Sequence, residues 1–175
     1  QLLYMEEPEE LEQLFCAARQ VRHRHFDNRV FMYGFVYFSN HCQNDCHFCY
    51  ARKSNNIRRY RKSHEEVIEI AVKLADSGVH LIDLTMGEDV EYLERDALFQ
   101  LAGAVKEASG LPVMISPGVL SDQQIDRMGR LKVEWFALYQ ETHNRQLYRQ
   151  LRSNQEYDRR MKAKLRARDA GMLIE

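Results

Sequence analysis

The chain has 175 residues and a formal net charge of −1, and it is 45% hydrophobic and 29% charged, as is typical of a soluble globular protein. A charge so close to zero excludes a global field that would recruit nucleic acid or a membrane surface, and no apolar run is long enough to span a membrane. Four cysteines in a chain of this length do not form a disulfide framework, and their clustering favours a metal site in a reducing compartment, so we expect a cytoplasmic protein.

The first predicted element is a helix over residues 11–25, which has apolar side chains on one face and Cys16 as a small core residue. Residues 31–38 are almost all apolar or aromatic, which predicts a strand buried on both faces. The segment that follows contains Cys42, Cys46 and Cys49 in a Cys-x3-Cys-x2-Cys pattern.

Helices and strands then alternate to the end of the chain. The predicted helices are one opened by a capping box at Ser63 and ended by Gly78, one at 96–108, one opened by a capping box at Ser121, and one at 154–169. The predicted strands between them lie at 79–84, 112–116 and 133–139, and a fifth strand begins at the end of the chain. This alternation predicts an α/β fold with parallel strands and right-handed crossovers. It is compatible with a doubly wound open sheet and with a (β/α)8 barrel of the TIM type.

The three cysteines of the Cys-x3-Cys-x2-Cys pattern lie within eight residues, close enough for their thiolates to bind one inorganic centre. Structural zinc sites and electron-transfer clusters usually have four protein ligands, so three leave one metal position open for a small molecule. The alternative is a zinc-stabilised binding module completed by His41 or His47. The chain lacks the second Cys or His pair that zinc fingers carry at characteristic spacing.

The cysteine spacing, with Phe48 just before the last cysteine, resembles the signature of the radical S-adenosylmethionine superfamily. The resemblance implies that the three cysteines bind a 4Fe–4S cluster, that S-adenosylmethionine chelates its open iron, and that Phe48 lies against the adenine. Because that superfamily uses full or partial barrels, the resemblance favours the (β/α)8 barrel, with roughly the first four and a half units present after an N-terminal helix. We expect residues 1–175 to be one incomplete domain, since the chain starts without Met and its last residues open a new strand.

Further cofactor contacts are expected at the C-terminal ends of the strands, where barrel ligands gather. The segment Thr85-Met-Gly-Glu88 resembles a Gly-Gly-Glu-like segment of the superfamily, which implies that Thr85, Gly87 and Glu88 contact the cofactor. Glu141 and Arg160 match positions that bind S-adenosylmethionine, Arg160 at its carboxylate. The alternative for Arg160 is a solvated helix face.

Asp83 is an isolated carboxylate in an apolar strand, and it needs either a protein cation or an amine-bearing substrate as its partner. The residues alone leave both possibilities open. Segments 33–38, 80–89 and 137–143 are most similar, within the biotin synthase-like subgroup, to methylornithine synthases, lysine mutases in which an aspartate at this position helps to hold the amino acid.

This resemblance implies an isomerase that converts L-lysine into 3-methylornithine, the first step of pyrrolysine biosynthesis, through a 5′-deoxyadenosyl radical. It implies lysine as the substrate and an electron donor such as flavodoxin or ferredoxin as a partner. Since the radical forms on the cofactor, no catalytic side chain is predicted, and the fragment by itself is expected to be inactive. A hydrogenase-maturase-like or biotin synthase-like enzyme is the alternative within the superfamily.

Overall fold

The computed structural model describes residues 2–94 and 96–175. Two compact units are present, Gln1–Phe31 and Met32–Glu175, although Gln1, the start of the predicted domain, lies outside the described residues. The expectation of one domain over the whole chain stays a prediction.

The first unit contains a short 3-10 helix, Leu2–Tyr4, and the helix α1, Pro8–Phe26. The helix begins earlier than predicted because Pro8 lies in its first turn, where a missing backbone N–H leaves no hydrogen bond unmade. Cys16 is exposed on α1, so the expectation that it is a core residue is wrong.

The second unit contains five strands and six helices among its described residues. The strands are β1 (Tyr33–Ser39), β2 (Leu81–Met86), β3 (Val113–Ser116), β4 (Trp135–Phe136) and β5 (Leu173–Ile174). The helices are α2 (His64–Asp76), α3 (Val90–Glu94), α4 (Ala97–Ser109), α5 (Asp122–Arg130), α6 (Arg145–Leu151) and α7 (Tyr157–Asp169).

All strand pairs are parallel, and their spatial order is their chain order, β1-β2-β3-β4-β5. A doubly wound sheet needs a point at which the strand order reverses, and these five strands contain none. The order is that of consecutive units of a (β/α)8 barrel, so the predicted fold class is confirmed for the part of the barrel that this chain carries.

The two faces of the sheet differ. Side chains such as Ile82, Leu84 and Ile115 pack under the helices in the main apolar core. The opposite face carries Tyr33 and Phe35 of β1, which are 54% and 55% exposed. The prediction that β1 is buried on both faces is therefore wrong, because only its helix-covered side is enclosed.

Both predicted capping boxes are present, at the starts of α2 and α5. The predicted strand at 133–139 is shorter, since only Trp135 and Phe136 join the ladder. The helix predicted from residue 154 begins at Tyr157, and the preceding residues form a turn after α6, a helix that was not predicted. The segment from Leu151, the last residue of α6, to Glu156 is called here the α6–α7 turn, and it lies at the candidate site.

Candidate functional site

The three cysteines lie in the loop after β1 and form no disulfide. Cys46 is buried, while Cys42 and Cys49 are partly buried. All three line one cavity of about 290 Å³ at the C-terminal ends of the strands. Burial raises the pKa of the Cys42 thiol above its usual value, although backbone hydrogen bonds from Asn44 and Glu88 partly oppose this effect.

Arg59 holds the cysteine loop in shape by hydrogen bonds to backbone carbonyls. Its Nη1 donates to the carbonyls of Asn40 and Ala51 at 2.6 and 2.8 Å, and its Nη2 donates to those of Arg52 and Asn55 at 2.6 and 3.1 Å. One planar guanidinium thus binds carbonyls that precede and follow the three cysteines, which fixes the loop.

The end of β2 packs directly against the cysteine loop. The N–H of Gly87 donates to the carbonyl of Ser39 at 2.9 Å, and the N–H of Gln43 donates to the carbonyl of Glu88 at 3.0 Å. A Cβ at Gly87 would lie 2.2 Å from the backbone oxygen of His41, so the close approach requires glycine here.

Asp89 links the segment after β2 to Ser39, at the end of β1, and to Arg61. Its buried carboxylate accepts two hydrogen bonds from Arg61, at 2.6 and 2.9 Å, and one from Ser39 at 2.6 Å. Burial acts to raise the pKa of Asp89, but the bonds from Arg61 and Ser39 together outweigh it and lower the pKa below the usual value. Asp89 is therefore a structural ion-pair partner.

The structure brings together all six residues that the sequence analysis assigns to the cofactor. The cavity that holds the cysteines is also lined by Phe48, Thr85, Gly87, Glu88, Glu141 and Arg160. The individual roles of these residues stay predictions.

The two carboxylates of this cavity are paired with buried arginines. Arg160 Nη1 contacts Glu88 at 3.2 Å, and Arg160 Nε donates to the carbonyl of Tyr139 at 2.9 Å. Arg152 Nη2 contacts Glu141 at 2.8 Å. Burial, together with the charge of Arg152, lowers the pKa of Arg160. Arg160 is 5% exposed, so the alternative of a solvated helix face is wrong.

Two site residues were missed by the sequence analysis, and both belong to the α6–α7 turn. Gln155 Nε2 donates to Cys46 Sγ at 2.9 Å, and Arg152 Nη1 approaches the same sulfur at 3.4 Å. The Arg152 guanidinium also lies 5.1 Å from the centre of the Phe48 ring. These contacts join positions more than 100 residues apart, and no local pattern in the sequence signals them.

Asp83 lies on the same strand as Thr85 and is 1% exposed. Thr85 Oγ1 donates to its carboxylate at 2.9 Å, and Thr85 in turn lines the cavity. Among the residues that the structure describes, Asp83 forms no ion pair with a protein cation. Burial raises the pKa of Asp83 to about 6; the hydrogen bond from Thr85 opposes this, and the charge of Glu175 adds to it.

The donor set fits a cluster better than a single ion. Among the described residues, no group of three His, Cys, Asp or Glu side chains lies in an arrangement that could hold one metal ion, so the structure gives no support to a zinc knuckle with His41 or His47. All protein ligands of a zinc ion bind the same metal atom, whereas the thiolates of a 4Fe–4S cluster bind different irons. Among the described side chains, Arg152 Nε is buried without a hydrogen-bond partner beside Cys46, and an anionic group in the cavity would satisfy it.

In the part of the chain that the structure describes, no helix combines the length and apolar character needed to cross a membrane.

Comparisons with known proteins agree with this geometry. The model of the radical SAM superfamily matches residues 36–174. A 3-methylornithine synthase of Methanosarcina acetivorans is 45% identical over 99% of this chain and 50% of its own length. The hydrogenase maturase subunit HydE of Thermotoga maritima is 29% identical over 91% of this chain and 46% of its own length.

The fold also matches a solved structure. The crystal structure of methylornithine synthase (PylB) superposes with a TM-score of 0.90 at 44% identity, over 99% of this chain and 52% of that one. The chain thus spans about half the length of the curated relatives that it matches.

Proposed function

Because the chain belongs to the radical S-adenosylmethionine superfamily, we propose that the full-length protein isomerises L-lysine to 3-methylornithine, the first step of pyrrolysine biosynthesis. The proposal is supported by 45% identity to a 3-methylornithine synthase, which is well above the 29% identity to a hydrogenase maturase subunit.

The superfamily uses a 4Fe–4S cluster and S-adenosylmethionine, and the residues of the cavity fit both. The three cysteines would hold the cluster through their thiolates. Phe48 would lie against the adenine, and Thr85, Gly87 and Glu88 would line the amino end of the methionine group. When bound together, the two cofactors supply a carbon radical that can remove a hydrogen atom from a substrate.

Arg160 and Glu141 would bind the methionine group of S-adenosylmethionine. Arg160 is held by the Tyr139 carbonyl and Glu88, so its guanidinium is fixed before a carboxylate arrives. Its Glu88 partner is only 11% exposed, which keeps the local charge balanced when the site is empty of anions. The Arg160–Glu88 ion pair would therefore let Arg160 bind the cofactor carboxylate without a large movement of its side chain.

The observation that carries the substrate assignment is the buried carboxylate of Asp83, which forms no ion pair with a described protein cation. At neutral pH a carboxyl group with a pKa of about 6 is mostly ionised, so a buried negative charge remains without a counter-charge. An ammonium group of lysine provides that counter-charge when it binds. The bond from Thr85 fixes the carboxylate next to the cavity in which the radical would be generated.

The proposed partners are lysine and a low-potential electron donor such as a flavodoxin or ferredoxin. Three thiols that must stay reduced to bind a cluster need a reducing environment, so the proposed location is the cytoplasm.

The test is an anaerobic assay of the reconstituted full-length protein with dithionite, S-adenosylmethionine and lysine. We expect formation of 5′-deoxyadenosine and 3-methylornithine in the wild type. The variant Asp83→Asn should keep its iron and its cofactor binding and lose lysine turnover. The matched control Asp76→Asn, at an exposed position on α2, should behave as the wild type. Normal lysine turnover by Asp83→Asn would overturn the substrate assignment, and cofactor cleavage that leaves lysine unchanged would favour a maturase-like activity on another substrate.

A further inference from the structure

We infer that Gln155 and Arg152 of the α6–α7 turn position Cys46 and raise the reduction potential of the cluster that it would bind. The inference rests on the proposed cluster site. It concerns these two side chains, which donate to the sulfur from outside the cysteine loop.

The amide orientation of Gln155 is fixed by its neighbours. Its Oε1 accepts hydrogen bonds from Arg152 Nη1 at 3.1 Å and from Arg160 Nη1 at 3.0 Å. The opposite orientation would place the amide N–H groups against two guanidinium cations, which have no acceptor atoms. The Nε2 group must therefore face Cys46 Sγ, at 2.9 Å.

Arg152 is held in an equally defined position. Nη2 binds Glu141 and the carbonyl of Tyr139, at 2.8 and 3.2 Å, and this leaves Nη1 next to Gln155 Oε1 and Cys46 Sγ. The guanidinium is 6% exposed, so water screens its charge weakly.

The turn also binds the backbone around Cys46. The N–H of His47 donates to the carbonyl of Leu151 at 2.9 Å, and the N–H of Asp45 donates to Asn154 Oδ1 at 3.2 Å. The residues on either side of the central cysteine are thus attached to this turn, and the sulfur between them accepts from Gln155.

The three cysteines differ in the hydrogen bonds that their sulfurs accept from side chains. The hydrogen bonds that influence the Cys42 thiol come from the backbone, and the described side chains that donate to a sulfur of the Cys-x3-Cys-x2-Cys pattern both reach Cys46. Reduction adds one electron to the cluster from an external donor and breaks no bond to the protein. Donors at a ligand sulfur stabilise that extra negative charge and therefore raise the potential.

The test is an anaerobic redox titration of the reconstituted full-length protein with dithionite, followed by electron paramagnetic resonance of the reduced cluster. Gln155→Glu retains the shape and the bonds to both arginines but presents acceptors instead of N–H donors to Cys46. Gln155→Leu removes the donor without adding a charge. We expect the wild-type iron content in both variants and a more negative midpoint potential, with the larger shift in Gln155→Glu.

The matched control is Gln146→Glu, which makes the same chemical change at an exposed position on α6. It should leave the potential unchanged. Unaltered potentials in both Gln155 variants at full iron content would overturn the inference while leaving the cluster site intact. A wild-type protein that takes up no iron would instead contradict the proposed function. If Gln155→Leu loads poorly, the potential of Gln155→Glu decides the question, because that variant keeps the bonds that fix the turn.

Discussion

Replacing Asp83 with asparagine is expected to stabilise the folded protein at neutral pH, because it removes a buried charge that forms no ion pair with a described residue. A pKa that rises from 3.8 to about 6 on folding corresponds to a cost of about 3 kcal/mol at pH 7. Asparagine retains an oxygen that accepts the hydrogen bond from Thr85, so little else is lost.

The pH dependence of the Asp83→Asn effect follows from the direction of the pKa shift. Between pH 3.8 and about 6 the folded state binds the proton more tightly than the unfolded state, so the wild type loses stability as the pH rises through this window. Above this pH window the wild type carries the whole free-energy cost of the buried Asp83 charge, and below the window that cost disappears. The stability gap between variant and wild type should therefore be largest at pH 7.5 and clearly smaller at pH 5.

The assay is urea denaturation of the full-length wild type and Asp83→Asn at these two pH values, without lysine. The control Asp89→Asn should have the opposite sign and lose about 3 kcal/mol at pH 7.5, since it breaks a buried ion pair with Arg61. An Asp83→Asn variant that is less stable than the wild type at pH 7.5 would refute the reasoning, because the buried charge of Asp83 would then carry no net cost.

Three further outcomes are expected. Reconstitution of the wild type should give roughly four irons per chain, and alanine at any cysteine of the Cys-x3-Cys-x2-Cys pattern should abolish this iron uptake. Cys16→Ala should bind iron as the wild type does. Normal iron content after replacement of a cysteine of the pattern would contradict the ligand assignment. Arg160→Ala should weaken S-adenosylmethionine binding by about 1.5–3 kcal/mol in calorimetry at unchanged iron content, and equal affinity would remove Arg160 from the cofactor site. Gly87→Ala should displace the cysteine loop and lower the iron content, because the added Cβ meets the backbone oxygen of His41; full loading would show that the loop can move away.

The fold was predictable where the signals are local. The capping boxes at Ser63 and Ser121 and the left-handed glycine at Gly110 mark helix ends through hydrogen bonds among near neighbours. Helix α6 was missed, although Asn144 caps it by accepting from two backbone N–H groups, because its short apolar pattern resembles that of a loop. The shortness of β4 depends on pairing with β3 and β5, which sequence alone does not specify.

At the candidate site, too, local signals were recognised and contacts between distant residues were not. The cysteines were found from their spacing, and Thr85 and Glu141 from their resemblance to segments of the superfamily. Their common edge was expected because parallel strands bring their C-terminal ends together. Gln155 was not found, because a glutamine in a polar turn has the composition of a solvated loop and its role depends on a contact with Cys46 across 109 positions. Asp83 was recognised as unusual, but whether a protein cation neutralises it could be judged only from the three-dimensional neighbourhood.

The distance in sequence between Cys46 and the α6–α7 turn has a consequence for the order of assembly during synthesis. A growing chain is made from its N-terminus, so all three cysteines leave the ribosome long before Leu151, Asn154 and Gln155 do. Until the fourth β/α unit has folded, the segment around Cys46 lacks the hydrogen bonds that the turn supplies. Iron–sulfur insertion is therefore expected to follow translation of this unit, and the thiols need protection from oxidation in the interval.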